Sequence, residues 1–339
     1  DAAMTAFSVL DLVPVREGGT LAEAFAASVD LARAAERLGC KRFWVAEHHA
    51  MEGIAGGATA VVLAHIGNAT SRIRIGSGGI MLPNHTPFQI AEQFGTLDAL
   101  FPGRVDLGLG RAPGAGPELQ RALRKNLHQA AEYFPQDVVE LRALLTGDID
   151  LPIAATPGRG ANVELWMLGS SLFGASLAAK LGLPYAFAAH FAPDHLDAAL
   201  ALYRRDFAPS AALDRPHVMV AMNVFAAATR EEAELIASSQ QQSFVALRTG
   251  NPGRLPPPVA GYRESLPAPA QAMVAHIGQA AAVGTPQEVR AQIDAFLART
   301  GADEILLCGA THDPAARIAS LEMTMDVMGA AAAAPAHHR

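Results

Sequence analysis

The segment that opens with Thr20-Leu21-Ala22-Glu23 and closes with Gly39-Cys40-Lys41-Arg42-Phe43-Trp44-Val45-Ala46 decides the fold. Thr20 and Glu23 form a capping box, each side chain satisfying the other's free amide at a helix start. Leu21, Ala24, Phe25, Leu31, Ala32, Ala35 and Leu38 then keep helical spacing, and Gly39 supplies the stop. The apolar run 42–46 follows at once and reads as a strand, and a similar run, 7–13, precedes the capping box. The result is one strand–helix–strand unit.

Outward from this unit the alternation repeats. Strands are predicted at 73–77, 105–109, 163–168, 185–189, 218–226 and 304–308. Helical stretches at 59–69, 88–100, 119–145, 172–181, 195–207, 230–248 and 286–300 separate them, with a closing helix at 314–328. Eight β-runs with helical crossovers imply a parallel sheet. Eight such units suit closure into a (β/α)8 TIM barrel, although the pattern alone also allows a doubly wound open sheet. The segment 249–271, with Pro256-Pro257-Pro258, is long for a plain connection and reads as a lid or a disordered loop. No boundary interrupts the alternation. Residues 1–328 are therefore expected to form a single α/β domain, and the alanine-rich 329–339 a flexible tail.

Composition narrows the function. Half of the 339 residues are hydrophobic and 17% are charged, enough for a sizeable core. The net charge is −7, and no run of Lys or Arg exceeds two residues, so neither nucleic acid nor an anionic membrane is expected as a partner. No apolar stretch reaches the roughly 18 residues a bilayer requires. The start lacks a signal-peptide pattern, and a cytoplasmic protein is expected. Cys40 and Cys308 have no metal-like spacing and sit beside apolar runs, which suggests buried thiols in a reducing compartment.

Barrels of this kind collect their active sites at the C-terminal ends of the strands. The residues there are Leu10-Asp11, Glu47-His48-His49, Gly76-Ser77-Gly78-Gly79, Gly108-Leu109-Gly110-Arg111, Gly169-Ser170-Ser171 and His190-Phe191. A solvated loop explains any one of these more easily than all six. Glu47-His48-His49 admits a metal cluster, a pair of packed rim imidazoles, or an acid–base group held by a carboxylate. Consecutive histidines point apart on extended backbone and no His-x-x-x-His spacing lies nearby, so no metal is expected. The stretch 108–114 fails the dinucleotide fingerprint, because Pro113 stands where the third glycine belongs. Arg111 reads either as a surface ion pair or as an anion ligand. Ser170-Ser171 reads either as an ordinary N-cap or as part of an anion site at a helix start. Arginine and helix start on one rim together suit a phosphate.

Three strings carry a family resemblance: Phe43-Trp44-Val45-Ala46-Glu47-His48-His49, Ser77-Gly78-Gly79-Ile80-Met81-Leu82-Pro83-Asn84-His85, and Gly103-Arg104 through Gly110-Arg111-Ala112-Pro113-Gly114. With Trp166-Met167-Leu168-Gly169-Ser170-Ser171 and Gln240-Gln241-Gln242-Ser243-Phe244, the chain resembles the bacterial-luciferase-like flavin-dependent monooxygenases over nearly its whole length. The resemblance implies a (β/α)8 barrel with a late insertion, commonly as a homodimer built from helices of the first half. It implies reduced FMN as cosubstrate, supplied by a separate flavin reductase, with O2 and a small-molecule substrate. It places His48 as the catalytic histidine with Glu47 as the adjacent carboxylate, and Gly78-Gly79 as a non-prolyl cis peptide beneath the flavin ring. It assigns the flavin phosphate to Arg111 and to Ser170, Ser171 and Gly174. Gly110 stands where luciferase itself has a cysteine, which argues against light emission. A deazaflavin-dependent dehydrogenase and a non-catalytic flavin-binding protein are the alternatives on the same fold.

Overall fold

The computed structural model describes residues 4–111, 116–148 and 151–329. The expected tail lies almost wholly outside the described residues. Nine parallel strands form the sheet: β1 (Ala6–Asp11), β2 (Arg42–Val45), β3 (Arg74–Met81), β4 (Val105–Gly110), β5 (Val163–Gly169), β6 (Tyr185–Phe187), β7 (Val218–Ala226), β8 (Ala281–Gly284) and β9 (Glu304–Cys308). The order runs β6-β5-β4-β3-β2-β1-β9-β7, and pairing of Tyr185–Phe187 with Val218–Val220 closes the ring into an eight-stranded TIM barrel. The eight ring strands are the eight expected from the sequence. The ninth, β8, pairs only with the far end of β7, Asn223 through Ala226, and stands outside the ring.

Period-two alternation sorts the strand residues into two cores. Leu10, Trp44, Ala46, Trp166, Ala186, Met219, Ala221, Leu306 and Cys308 fill the lumen. There the Trp44 and Trp166 rings meet edge to face at 5.2 Å. The intervening residues, such as Phe43, Val45, Ile75, Leu107 and Ile305, are fully buried beneath the helices. Each aliphatic side chain so buried contributes about 1.5–3 kcal/mol. Thr20 and Glu23 close the capping box of helix Leu21–Arg37 at 3.2 and 3.1 Å. Both cysteines are buried, and burial pushes each thiol up to about 12.

The N-terminal mouth is plugged by charge. Arg42 pairs with Glu304 (3.1 Å), Asp106 (2.9 Å) and Glu164 (3.2 Å), while Arg74 adds a second bond to Asp106 at 2.6 Å. Trp44 Nε1 donates to Asp106 and Trp166 Nε1 to Glu164. Burial pulls the Glu304 carboxyl upward, but the His217 hydrogen bond and the charges of Arg42 and Lys41 outweigh it and hold it at about 2. Interlocked in this way, these ions brace the end of the barrel opposite the rim where catalysis is expected.

Three expectations need correction. The helical stretch 119–145 is broken into Pro117–Leu123, Leu127–Glu132 and Phe134–Thr146. Arg124 turns left-handed at φ 54° and Asn126 caps the second piece by accepting from the Gln129 amide. The segment 249–271 is an ordered connection carrying the short helix Tyr262–Ser265, which overturns the disordered-loop reading. Leu255 exchanges backbone bonds with Val15 and Glu17, Gln242 donates to the Pro257 carbonyl, and Ser238 Oγ accepts from the Val259 amide. Asp11, counted with the rim, turns outward, where Arg317 donates to it at 2.8 Å and Ser28 Oγ also donates. Among the described residues no helix is long and apolar enough to cross a membrane.

Candidate active site

The C-terminal rim is assembled from strand ends that are remote in sequence. His48 lies three residues past the end of β2, and its charged form is close enough to disfavour protonation of His190. Burial lowers the His48 pKa; Glu47 partly opposes that shift and His49 adds to it. The imidazole is therefore held neutral at pH 7, the form able to accept a proton.

Glu47 does not bond its neighbour His48. At 2% exposure its carboxylate accepts from His49 Nε2 (2.7 Å), His85 Nε2 (2.7 Å), Asn84 Nδ2 (2.9 Å) and the Met81 amide (3.2 Å). Burial pulls its pKa upward, but the hydrogen bond and charge of His85, with the bonds from Asn84 and His49, leave it below the ordinary value. Glu47 thus anchors the loop that follows β3 to the end of β2. Its charge bears on His48 only through space.

At the end of β3 the Gly78–Gly79 peptide is cis, as expected. A Cβ on Gly78 would come within 2.9 Å of Leu10 and Trp44, and one on Gly79 within 2.9 Å of the Gly108 carbonyl. Both glycines are therefore fixed by packing against the lumen and β4.

Arg111, just past β4, donates through Nε to the Ala131 carbonyl at 3.2 Å and lays its guanidinium 4.1 Å over the Phe173 ring. It pairs with no carboxylate among the described residues. Phe173 lies in the first turn of helix Leu172–Leu181, so Arg111 and that helix start are neighbours. Ser171 occupies the N-cap position but makes no side-chain cap bond, leaving the first-turn amides available to an acceptor. Three glycines at the same place are not required by the protein's own packing. Among the described residues a Cβ would meet nothing within 4 Å at Gly169, and nothing closer than 3.8 Å at Gly110 or 3.7 Å at Gly174. None of the three has a positive φ. An arginine with no carboxylate partner among the described residues, an uncapped helix start and these bare Cα atoms lie together at the ends of β4 and β5, and residues of this kind fit the phosphate of a flavin nucleotide.

Sequence reasoning placed His190 on the rim without assigning it a role, and it missed the polar chain behind it. Asn223 donates to the His190 carbonyl at 2.9 Å and accepts from Gln240 at 2.7 Å, while Gln240 accepts from the Ala310 amide at 2.6 Å. The string 240–244 was visible only as part of a resemblance; its structural task is to tie helix Arg230–Arg248 to the ends of β6, β7 and β9.

The closed barrel carries His48 and, beside an uncapped helix start, Arg111 at the C-terminal ends of its strands. The chain belongs to the luciferase-like monooxygenase family, whose model matches residues 5–304. It is 49% identical to the uncharacterized protein YvbT of Bacillus subtilis over 95% of this chain and 96% of that protein. It is 47% identical to a luciferase-like monooxygenase of Escherichia coli over the same 95% and 96%. The N-acetyl-S-alkylcysteine monooxygenase of Bacillus subtilis is 35% identical over 86% of this chain and 88% of its own. Among solved structures, apo-MsnO8 superposes with a TM-score of 0.85 at 33% identity, covering 96% of this chain and 98% of its own. The fold alone is shared with the FMN-bound oxygenating constituent of 3,6-diketocamphane monooxygenase (TM-score 0.71, 18% identity; 96% and 97% covered). It is also shared with an F420-dependent secondary alcohol dehydrogenase (TM-score 0.66, 16% identity; 97% and 99% covered).

Proposed function

We propose that this chain is the oxygenating half of a two-component system, a monooxygenase that takes reduced FMN from a separate flavin reductase and uses O2 on a small organic substrate. The observation that carries this reading is the meeting of Arg111 with the uncapped start of helix Leu172–Leu181 on the rim that also bears His48. Arg111 and the amides around Gly174, with Ser170 and Ser171, would hold the FMN phosphate, and Gly78-Gly79 would border the flavin ring. Bound reduced flavin supplies the electrons that activate oxygen. The protein's own part is to position, to exclude water and to move one proton. His48, held neutral, takes a proton from the substrate or, once protonated, returns one to a departing oxygen. Glu47 acts indirectly, by holding the loop 81–85 and the β2 end in place. Residues 1–328 act as one domain, and the molecule works as a cytoplasmic homodimer. Val61 and Leu100, 71% and 58% exposed on the first-half helices Thr59–Ala69 and Pro87–Leu100, support that face as the interface.

The F420-dependent neighbour gives a second reading, a deazaflavin-dependent dehydrogenase on the same barrel. Anaerobic titration with reduced FMN and with a reduced deazaflavin, followed by admission of oxygen, separates the two. Tight binding of FMN and its reoxidation on the protein support the monooxygenase. Selective binding of the deazaflavin, which does not reoxidise, overturns it.

A further inference from the structure

We infer that His190 is a second ligand-facing imidazole of the rim, whose Nδ1 hydrogen-bonds a carbonyl or ring nitrogen of the molecule bound there. Three observations carry this, and it rests on the reading of the rim as the active site. First, Nδ1 is buried and has no hydrogen-bond partner among the described residues. Buried polar atoms in folded proteins nearly always have one, so each exception calls for a ligand or another explanation. Second, His190 follows β6 as His48 follows β2, and the two rings lie close enough for a charge on His48 to disfavour protonation of His190. In an eight-stranded ring, the second and sixth strands stand on opposite sides, so the two imidazoles converge on the rim from opposite walls. Third, the residue is fixed in place. Its carbonyl is the terminus of the chain through Asn223 and Gln240 to Ala310, which joins four elements. A polar network of that extent is more than is needed to hold a loop whose side chain merely fills space.

Two sources offer the shared chemistry. One is the flavin ring, with its carbonyls and ring nitrogens; the other is a carbonyl-bearing substrate bound beside it. Burial, reinforced by the nearby His48, lowers the pKa of His190 to about 4, so it meets either ligand as a neutral imidazole. It would recognise a hydrogen-bonding group and confer no preference for an anion.

The test uses the full chain with ¹⁵N-labelled histidine. Oxidised FMN is added first, then decanal or cyclohexanone as linear and cyclic carbonyl probes, while the His190 Nδ1 resonance is followed. Movement on adding FMN assigns the flavin as partner, and movement only with a carbonyl probe assigns the substrate. In parallel, His190→Leu should weaken the partner ligand by about three- to tenfold, the worth of one neutral hydrogen bond. His190→Asn, whose amide reaches the position of Nδ1, should restore it to within about twofold. An Nδ1 resonance unmoved by every probe, with affinities in His190→Leu unchanged, overturns the inference. Flavin fluorescence quenching reports FMN binding separately. If FMN does not bind the wild-type chain, the monooxygenase reading fails and the carbonyl arm alone decides His190.

Discussion

Glu47 is the residue whose replacement the rim should feel most. Its two carboxylate oxygens take four donors, two of them imidazoles at 2.7 Å. Glu47→Gln keeps the volume but removes the charge and turns one acceptor oxygen into an NH2 donor, so two of the four bonds fall from about 1.5–3 kcal/mol towards the neutral value of about 0.5–1.5 and the other two donors lose their acceptor. The gross loss is roughly 5 kcal/mol, and the lower desolvation cost of an amide, with an imidazole tautomer that accepts from the new NH2, returns part of it. The net cost should be about 2–3 kcal/mol. Glu47→Ala strands the same donors. His49 and His85, 23% and 25% exposed, can turn to water, but the Met81 amide and Asn84 lose their acceptor at the loop. The cost should reach about 3–5 kcal/mol. His49→Gln preserves a donor and should cost less than about 1 kcal/mol. Urea unfolding with an unchanged slope m measures all three. A cost below about 1 kcal/mol for Glu47→Ala would refute the claim that this carboxylate organises the rim.

His48→Ala should slow flavin reoxidation-coupled turnover by about 10²–10⁴-fold while leaving FMN affinity within a few-fold; stopped-flow absorbance at saturating FMN reads both. The value of about 4 for His190 lies below the ordinary ~6.5, so between those pH values the folded state holds fewer protons than the unfolded. Stability should therefore fall as pH drops from about 6.5 to about 4, by about 3 kcal/mol from this residue, and His190→Asn should flatten that limb in urea titrations. Light scattering at micromolar concentration should return twice the chain mass of 35.4 kDa, and a charge introduced by Val61→Asp should reduce it to one.

The barrel was legible because its signals are local. The Thr20/Glu23 box, the Gly39 stop and the run 42–46 each act within a few residues, and repetition of that unit carried the topology. The failures share the opposite property. The strand β8 is four residues, two of them alanine, inside an alanine-rich stretch, and it forms only because the far end of β7 offers an unpaired edge. Asp11 looked like a rim residue because a strand end shows its position but not its face, and Ser28 and Arg317 settle the face from far along the chain. The charged plug was invisible for the same reason. Arg42, Asp106, Glu164 and Glu304 come from four strands, and nothing near any of them announces the others. At the candidate site the residue types on the rim were readable, but their partners were not. Glu47 turned to His49 and His85 rather than His48, and Arg111 found Phe173, because the course of the loops at neighbouring strand ends sets each contact.

The proposed function depends above all on a flavin phosphate held where Arg111 meets the start of helix Leu172–Leu181. Its most direct test is to titrate wild-type protein and Arg111→Ala with FMN and with riboflavin, which lacks the phosphate. A lost charge-assisted contact of roughly 1.5–3 kcal/mol should weaken FMN by about ten- to a hundredfold while riboflavin affinity stays within about twofold. Equal losses for both ligands, or no loss for either, would move the phosphate away from this corner.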